Sequence, residues 1–256
     1  MNPYIKLPKV PIAYGRQDII LIKCRDKQVL HLGCVDRGHL YERFKRNELM
    51  HQRLAAVSKE LWGVDIDEKG IEYLRSQGFG NLLVGDICSL DRLQGLQNKF
   101  FDVIVASEVL EHLQNPGFFL EGVKSFMKPG DTELVLTVPN AFRIDNLFWL
   151  FRGVEYVHPD HYYWFSYYTA CHLLEKKGFD VKSVTVYSFQ KPGILAHKGL
   201  LEGCTPSEEQ QTFFVKKCMG YISALPKRLI TSFLLKRSPF WGDGIILVAR
   251  ITRYGG

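Results

Sequence analysis

Short apolar runs recur through the first half of the chain, and three of the four end at or just before a glycine or an acidic residue. They occupy residues 28–32, 60–67, 81–85 and 99–106. Charged stretches with apolar residues at helical spacing, such as residues 68–77, lie between them. This alternation of buried strands with amphipathic helices predicts a doubly wound α/β fold on a largely parallel sheet.

The second half of the chain continues this pattern but ends differently. Residues 118–127 predict a helix, residues 132–138 a fifth strand, and residues 179–189 and 244–251 two more strands. An insert, residues 191–242, precedes the last strand and mixes apolar positions with basic pairs. Such a segment forms either a cap or lid packed on the domain or an amphipathic surface that touches anionic membranes.

The N-terminal region and the segment after the first strand predict less regular structure. Residues 1–12 contain three prolines and predict an irregular arm, and residues 14–23 predict a short helix. The charged segment 41–60 predicts a loop and then a helix over about residues 49–58, with His51 at an exposed position.

Residues 28–40, QVLHLGCVDRGHL, are the centre of the pattern, because a buried strand here runs into a glycine-containing turn. Such turns present backbone N–H groups to a ligand at the edge of the sheet. A dinucleotide-binding turn needs G-x-G-x-x-G, and Val35 occupies the position of its second glycine. A Walker turn has the spacing of Gly33 and Gly38, but it needs a following lysine where this chain has His39. The turn therefore favours a ligand without phosphate, such as S-adenosylmethionine.

The turn resembles the first motif of the class I S-adenosylmethionine-dependent methyltransferases, roughly V-L-D-x-G-C-G-x-G. The chain departs from this motif at His31, which replaces the acid, at Val35, and by one extra residue before Gly38. Residues 107–112, SEVLEH, are similar to the S/N-x-V-L-E-H run after the fourth strand of many small-molecule methyltransferases. The [N/D]-P-P-[Y/F] tetrapeptide of the enzymes that methylate amino groups of DNA and glutamine is absent at this point.

The resemblance implies a Rossmann-like, seven-stranded, mostly parallel sheet with an antiparallel C-terminal strand, and S-adenosylmethionine as cofactor. Asp65 would accept hydrogen bonds from both ribose hydroxyls, with Asp67 as the alternative. Asp86 would accept from the adenine amine, and the N–H of Ile87 would reach a ring nitrogen. Arg16 either reaches the carboxylate of the amino-acid moiety or is an ordinary surface arginine. The other positions assigned to the cofactor are Gly33, Cys34, Val35, Gly38, Ile66 and Ser107.

Residues 151–169, FRGVEYVHPDHYYWFSYYT, combine two histidines, an acid and many aromatic rings. We predict a substrate cap whose aromatic rings exclude water, with part of them serving ordinary packing. The residues expected to contact the acceptor are Glu108, His158, Asp160 and Trp164. An acceptor hydroxyl would need a base, for which His112 and His161 are the candidates. The HPDH sequence has a proline between its donors and no further ligand cluster nearby, so we predict no metal site.

Composition limits the remaining possibilities. The 256 residues are 46% hydrophobic and 23% charged, as expected of one globular domain, with its core in residues 14–190 and 243–252. The net charge of +6 is spread along the chain, which argues against nucleic acid as a partner. Six cysteines without C-x-x-C spacing, no N-terminal signal and no membrane-spanning run predict a cytoplasmic protein. Peripheral membrane contact through the insert stays an alternative.

These observations predict transfer of a methyl group from S-adenosylmethionine to a small-molecule acceptor, with an oxygen nucleophile preferred. A non-catalytic Rossmann-like binding or regulatory protein is one alternative, because the first motif is degenerate at His31 and Val35. An NAD-dependent oxidoreductase would share the sheet, although Val35 obstructs a pyrophosphate-binding turn.

Overall fold

A computed structural model describes residues 4–189 and 233–252, which are built around one eight-stranded sheet. The strands span Ile12–Ala13 (β1), Gln28–Leu32 (β2), Glu60–Asp65 (β3), Leu82–Val84 (β4), Val103–Ser107 (β5), Glu133–Pro139 (β6), Phe179–Tyr187 (β7) and Gly244–Ile251 (β8). Their spatial order is β4-β3-β2-β5-β6-β8-β7-β1. Neighbouring strands are parallel, except that β8 is antiparallel to β6 and to β7.

Helices cover both faces of this sheet. They span Gln17–Cys24 (α1), Leu40–Lys45 (α2), Met50–Ala55 (α3), Glu68–Ser76 (α4), Pro116–Val123 (α5), Ile144–Leu150 (α6) and Tyr167–Lys176 (α7). Successive residues of a strand point to opposite faces. On β2, Leu30 therefore packs in the layer of Phe119 from α5, whereas Val29 packs with Ile20 of α1 and Leu54 of α3. Burial on both faces explains why the central strands read as continuous apolar runs.

The predicted fold class is confirmed. The predicted strands at residues 28–32 and 244–251 coincide with β2 and β8, and the antiparallel pairing near the C-terminus is present. The sequence did not predict β1, because only two residues of the N-terminal arm pair with β7. It also did not predict α2 or α6, which are short and carry few buried residues.

Most of the predicted insert lies outside the described residues. Of residues 191–242, the structure describes 233–242, including a 3-10 helix at Pro239–Trp241. Among the described residues, no helix combines the length and the apolar character needed to cross a membrane.

The predicted exposure of His51 is wrong. Its side chain is 1% exposed, and its Nδ1 lies 3.2 Å from Nδ1 of His31 on β2. Gly63 makes room for it, since a Cβ at that glycine would lie 2.7 Å from Cε1 of His51. Burial lowers the pKa of both rings, that of His51 to about 4, so the pair is uncharged at neutral pH. At the position where the family motif has an acid, this chain therefore has His31, which is buried and paired with His51.

Candidate active site

The carboxyl ends of β2, β3, β4 and β5 meet at one edge of the sheet, because these strands are parallel neighbours. The N–H groups of Gly33 and Cys34 donate to the carbonyl of Val64 at 2.9 and 3.3 Å. The N–H of Gly85 donates to the carbonyl of Asp65 at 2.9 Å. Asp65 therefore lies between the glycine turn after β2 and the turn after β4.

The side chain of Asp65 also joins these turns. Its Oδ2 accepts from the N–H of Val35 at 2.7 Å, and its Oδ1 accepts from the N–H of Asp67 at 3.0 Å. Burial raises the pKa of this carboxyl, and both hydrogen bonds oppose that rise. The two oxygens of a carboxylate offer about four acceptor sites, so Asp65 retains acceptor capacity for a ligand hydroxyl beside these internal bonds. Asp67 itself caps α4, accepting from the N–H of Gly70 at 3.2 Å.

The amides at the start of the glycine turn are directed inward. The N–H groups of Gly33 and Cys34 donate to the carbonyl of Val64 on β3, and that of Val35 donates to the carboxylate of Asp65 at the end of β3. A dinucleotide-binding turn instead directs its amides at the pyrophosphate. This arrangement therefore suits a ligand without phosphate.

Position 33 requires a glycine because of its backbone conformation and because the side chain of Val109 lies close to it. Its φ of +71° is a conformation that L side chains rarely adopt, and an added Cβ would lie 2.7 Å from Cγ2 of Val109. Val109 belongs to the SEVLEH segment that follows β5. The glycine thus lets this segment approach the turn closely. Glu108, the preceding residue, also has a positive φ of 56°.

Val35 does not project into the edge of the sheet. Its side chain is 8% exposed and packs against α4, where a Cβ on Gly70 would come within 2.3 Å of it. The valine that breaks the glycine motif is therefore matched by a glycine on the helix that faces it. Cys34 is also buried, and burial raises the pKa of its thiol, so its contribution to the edge is confined to its backbone.

The turn after β4 gives this edge polar and apolar groups. Asp86 is exposed, and its carboxylate accepts from the N–H of Cys88 at 2.8 Å, which begins the 3-10 helix Ile87–Arg92. Ile87 is buried, whereas Ile66, directly after Asp65, is 70% exposed. An exposed aliphatic side chain beside a carboxylate can pack against the flat face of a nucleobase.

A polar cluster lies where the SEVLEH segment leaves β5. Glu108 is its centre and accepts from Thr137 at 2.7 Å and from the hydroxyl of Tyr187 at 3.1 Å. The guanidinium of Arg16 lies 3.7 Å from the Glu108 carboxylate and 3.4 Å from the Tyr187 hydroxyl. Ser107 joins through Thr137, with 2.9 Å between the two hydroxyl oxygens. Arg16 is thus part of a built cluster, with 19% of its side chain exposed.

Glu111 was not assigned a role from the sequence. Its side chain is 1% exposed, and neither carboxylate oxygen has a hydrogen-bond partner within the described part of the chain. Burial, with the charge of Glu108 as a second cause, raises the pKa of Glu111 to about 9. A buried, uncharged and unpartnered carboxyl is expensive to retain and marks a position prepared for a ligand. In the sequence, Glu111 is marked only by being the second glutamate of the SEVLEH segment.

Three histidines converge beside this cluster. His112 ends the 3-10 turn Leu110–His112, and His158 and His161 come from the predicted cap. The ring centroid of His112 lies 4.5 Å from that of His161 and 5.6 Å from that of His158, and the two cap rings are 5.3 Å apart. The two candidate bases named from the sequence are therefore neighbours in space.

Backbone and side-chain contacts hold the cap segment against this edge. The N–H of Tyr162 donates to the carbonyl of Glu111 at 2.8 Å, and the hydroxyl of Tyr163 to the carbonyl of Gln114 at 2.9 Å. Phe165 bridges to Asn140 at the end of β6.

The other cap residues named from the sequence form hydrogen bonds within the cap. Asp160 donates its N–H to Nδ1 of His158 at 3.3 Å. The indole N–H of Trp164 donates to Glu155 at 3.2 Å.

A glycine turn, an acid after the second parallel strand of the core, an acid after the third and a polar cluster after the fourth lie at one edge of a Rossmann-like sheet. A family model, the methyltransferase domain, matches residues 16–184. The chain belongs to this family and is a class I S-adenosylmethionine-dependent methyltransferase. S-adenosylmethionine is its cofactor, which favours this function over the NAD-dependent and non-catalytic alternatives. No curated protein sequence matches the chain.

Solved structures share the fold at low identity. An S-adenosylmethionine-dependent methyltransferase from Archaeoglobus fulgidus is 22% identical, with a TM-score of 0.50 over 92% of this chain and 95% of that one. A Haloferax volcanii methyltransferase complex with the Trm112 activator matches at 14% identity and TM-score 0.53, over 93% and 89%. Magnesium protoporphyrin IX methyltransferase from Synechocystis, with bound S-adenosylhomocysteine, matches at 13% identity and TM-score 0.51, over 92% and 82%.

Proposed function

We propose that the protein methylates an oxygen nucleophile of a small-molecule acceptor at the carboxyl edge of its sheet. One observation carries the proposal. The same edge presents the buried carboxylate of Asp65 beside the glycine turn and, beyond the unpartnered carboxyl of Glu111, three converging imidazoles at the aromatic-rich segment 151–169. The two halves suit a cofactor and an acceptor respectively.

The residues around Asp65 fit the adenosyl half of the cofactor. The two Asp65 oxygens can each accept one further hydrogen bond, as the two ribose hydroxyls require. Ile66 offers an exposed apolar surface to the base, and Asp86 an exposed carboxylate for its exocyclic amine. Gly33 and Gly38, both with positive φ, allow the backbone to approach the ligand.

The cluster around Glu108 fits the amino-acid half. Arg16 would pair with the carboxylate, and Glu111 would pair with the α-ammonium group. Burial raises the pKa of the Glu111 carboxyl more than the charge of Arg16 lowers it, so binding an ammonium group would favour its ionised form. This role accounts for two buried oxygen atoms that have no partner among the described residues.

The bound cofactor supplies an electrophilic methyl group, and the chain must orient the acceptor and exclude water. The cap residues would hold the acceptor over the edge beside His112 and His161. Burial, with nearby imidazoles as a further cause, lowers the pKa of both rings, that of His161 to about 4. Both rings are therefore uncharged near neutral pH, and each has a lone pair for the proton of an acceptor hydroxyl. The acceptor oxygen forms the new O–CH3 bond while the S–CH3 bond breaks.

Two measurements test this proposal. Calorimetry with S-adenosylhomocysteine on the full-length chain should show one binding event per chain. Transfer of labelled methyl groups to a panel of hydroxyl, amine and carbon acceptors should then give products in the hydroxyl class. Absence of cofactor binding would overturn the site, and products confined to amine or carbon acceptors would overturn the oxygen nucleophile.

A further inference from the structure

The sequence predicts no metal site because HPDH supplies only neighbouring donors. The fold adds a third donor from another segment, since the turn after β5 places His112 against His158 and His161. One ring nitrogen from each of these residues lies within 4.8 Å of the others. His112 and His161 are half-buried and His158 is exposed, so the group is open on one side.

These three rings differ from the other imidazole pair of the protein. His31 and His51 share a hydrogen bond of 3.2 Å in the core. Among the described residues, no hydrogen bond joins His112, His158 and His161 to one another, although their ring centroids lie 4.5–5.6 Å apart and those of His31 and His51 lie 5.5 Å apart. Their nitrogens converge without bonding to one another, which is the arrangement expected of ligands around one ion.

We propose that His112, His158 and His161 bind one divalent transition-metal ion, Zn²⁺ being the best match. Three imidazoles are the donor set that Zn²⁺ and its neighbours prefer, whereas Mg²⁺ and Ca²⁺ prefer oxygen ligands. Zn–N bonds of about 2.0–2.1 Å at tetrahedral angles place ligand nitrogens about 3.3 Å apart. Each pair of nitrogens must therefore close by roughly 1.5 Å at most, which small rotations of the three side chains can supply.

The surroundings of the three histidines support this assignment. Asp160 lies against the group: its N–H donates to Nδ1 of His158 at 3.3 Å, and its backbone also hydrogen-bonds to the ring of His112. The other nitrogen of each of these two rings is left for a metal ion. Metal-binding histidines usually have such a carbonyl or carboxylate around them.

The metal would define the acceptor class, an inference that rests on the proposed function. Three histidines leave a fourth position open towards the cap, as catalytic zinc sites do. An alcohol, phenol or enol oxygen taking that position would release its proton to water. The resulting oxygen anion would use one electron pair for the bond to the methyl carbon as the methyl–sulfur bond breaks. His112 and His161 would then act as ligands, and no imidazole base would be needed.

The test uses the full-length protein, freed of any affinity tag and treated with a chelator. Titration with ZnCl2 by calorimetry should show one site, and Co²⁺ should give the visible absorption of a four-coordinate, nitrogen-rich centre. His158→Ala, at an exposed position, should weaken binding by at least ~10-fold. His172→Ala, an exposed histidine on α7, is the matched control and should leave it unchanged. Thermal unfolding of each variant checks that the fold is intact.

Three outcomes overturn the metal site. They are no stoichiometric binding, equal binding in His158→Ala and wild type, or a Co²⁺ spectrum with thiolate charge-transfer bands. The cofactor measurement separates this inference from the proposed function. Binding of S-adenosylhomocysteine with methyl transfer in chelator-treated protein overturns the metal's role in the reaction and keeps the proposed function. Zn²⁺ binding that depends on His158, without any S-adenosylhomocysteine binding, keeps the metal site and removes the function.

Discussion

The backbone N–H of Val35 donates a hydrogen bond of 2.7 Å to the carboxylate of Asp65. This bond joins the turn after β2 to the end of β3, the two places where the sequence predicted cofactor contacts. It fixes the Asp65 carboxylate before any ligand arrives, so less ordering is needed on binding. The relationship also explains how a valine fits a turn that the family fills with glycine, since its backbone donates to Asp65 while its side chain packs on α4.

Replacing Asp65 should weaken cofactor binding. Asp65→Ala would remove the two charge-assisted contacts that we propose to the ribose, each worth about 1.5–3 kcal/mol, and it removes the acceptor for Val35. We expect the Kd for S-adenosylhomocysteine, measured by calorimetry, to rise at least ~10-fold. Asp91→Ala, at an exposed position, is the control and should bind as wild type does. Unchanged affinity in Asp65→Ala would remove this carboxylate from the site.

Gly33→Ala should destabilise the protein for two separable reasons. The positive φ costs about 1–2 kcal/mol for an L side chain, and the new Cβ meets Val109 at 2.7 Å. Urea unfolding should show a loss of at least ~1 kcal/mol, and Val109→Ala in the same chain should recover only the steric part. Gly122→Ala, in a helix with open space around the glycine, should be neutral or stabilising. Equal stability of Gly33→Ala and wild type would contradict both reasons.

The buried pair His31 and His51 should make stability fall in mild acid. The folded-state pKa of each ring is lowered, so the unfolded chain binds more protons as the pH falls below its pKa of about 6.5. The stabilisation is complete above that pH and is lost towards pH 4, by up to ~1.4 kcal/mol per pH unit for each group. Urea unfolding from pH 7.5 to 4.5 should show a smaller slope for His51→Asn than for wild type. His172→Asn should keep the wild-type slope.

Glu111 should make stability fall as the pH rises, which is opposite to the effect of the histidine pair. Its folded pKa is raised to about 9, so the folded state retains a proton that the unfolded chain loses above pH 4.5. The stability it contributes is complete below the unfolded pKa and declines as the pH rises towards the folded one. Glu111→Gln is uncharged in both states, so its stability relative to wild type should increase between pH 5 and pH 8. A constant difference across that range would mean that Glu111 is ionised in the fold.

The same substitution should reveal which part of the cofactor Glu111 binds. Glutamine offers no charge to an ammonium group, so Glu111→Gln should weaken S-adenosylhomocysteine binding by about 10-fold. Binding of 5′-methylthioadenosine, which lacks the amino-acid moiety, should change little. An equal loss for both ligands would place Glu111 elsewhere.

The sequence predicted the parts of the fold whose pattern is local. Residues 28–32 and 244–251 are continuous apolar runs buried on both faces, and they form β2 and β8. The two residues of β1 have no pattern of their own, because their strand exists only through pairing with β7. His51 was placed at the surface because helical spacing does not reveal that a glycine on β3 opens space for its ring.

The candidate site was predictable to the extent that it follows strand ends. Gly33, Asp65 and Ser107 each follow or end an apolar run, so parallel pairing brings them to one edge. The burial of Glu111 and the meeting of His112 with His158 depend on how the cap segment folds back over the edge. Contacts of this kind join residues far apart in the chain, and a single sequence carries no local signal for them.

The inward direction of the first three amides in the glycine turn has a practical consequence. Anion-binding turns are commonly occupied by sulfate or phosphate ions from the buffer, which then compete with the natural ligand. Here the N–H groups of Gly33, Cys34 and Val35 already bond within the protein. Adenosyl ligands should therefore bind equally well in phosphate and in amine buffers of matched ionic strength.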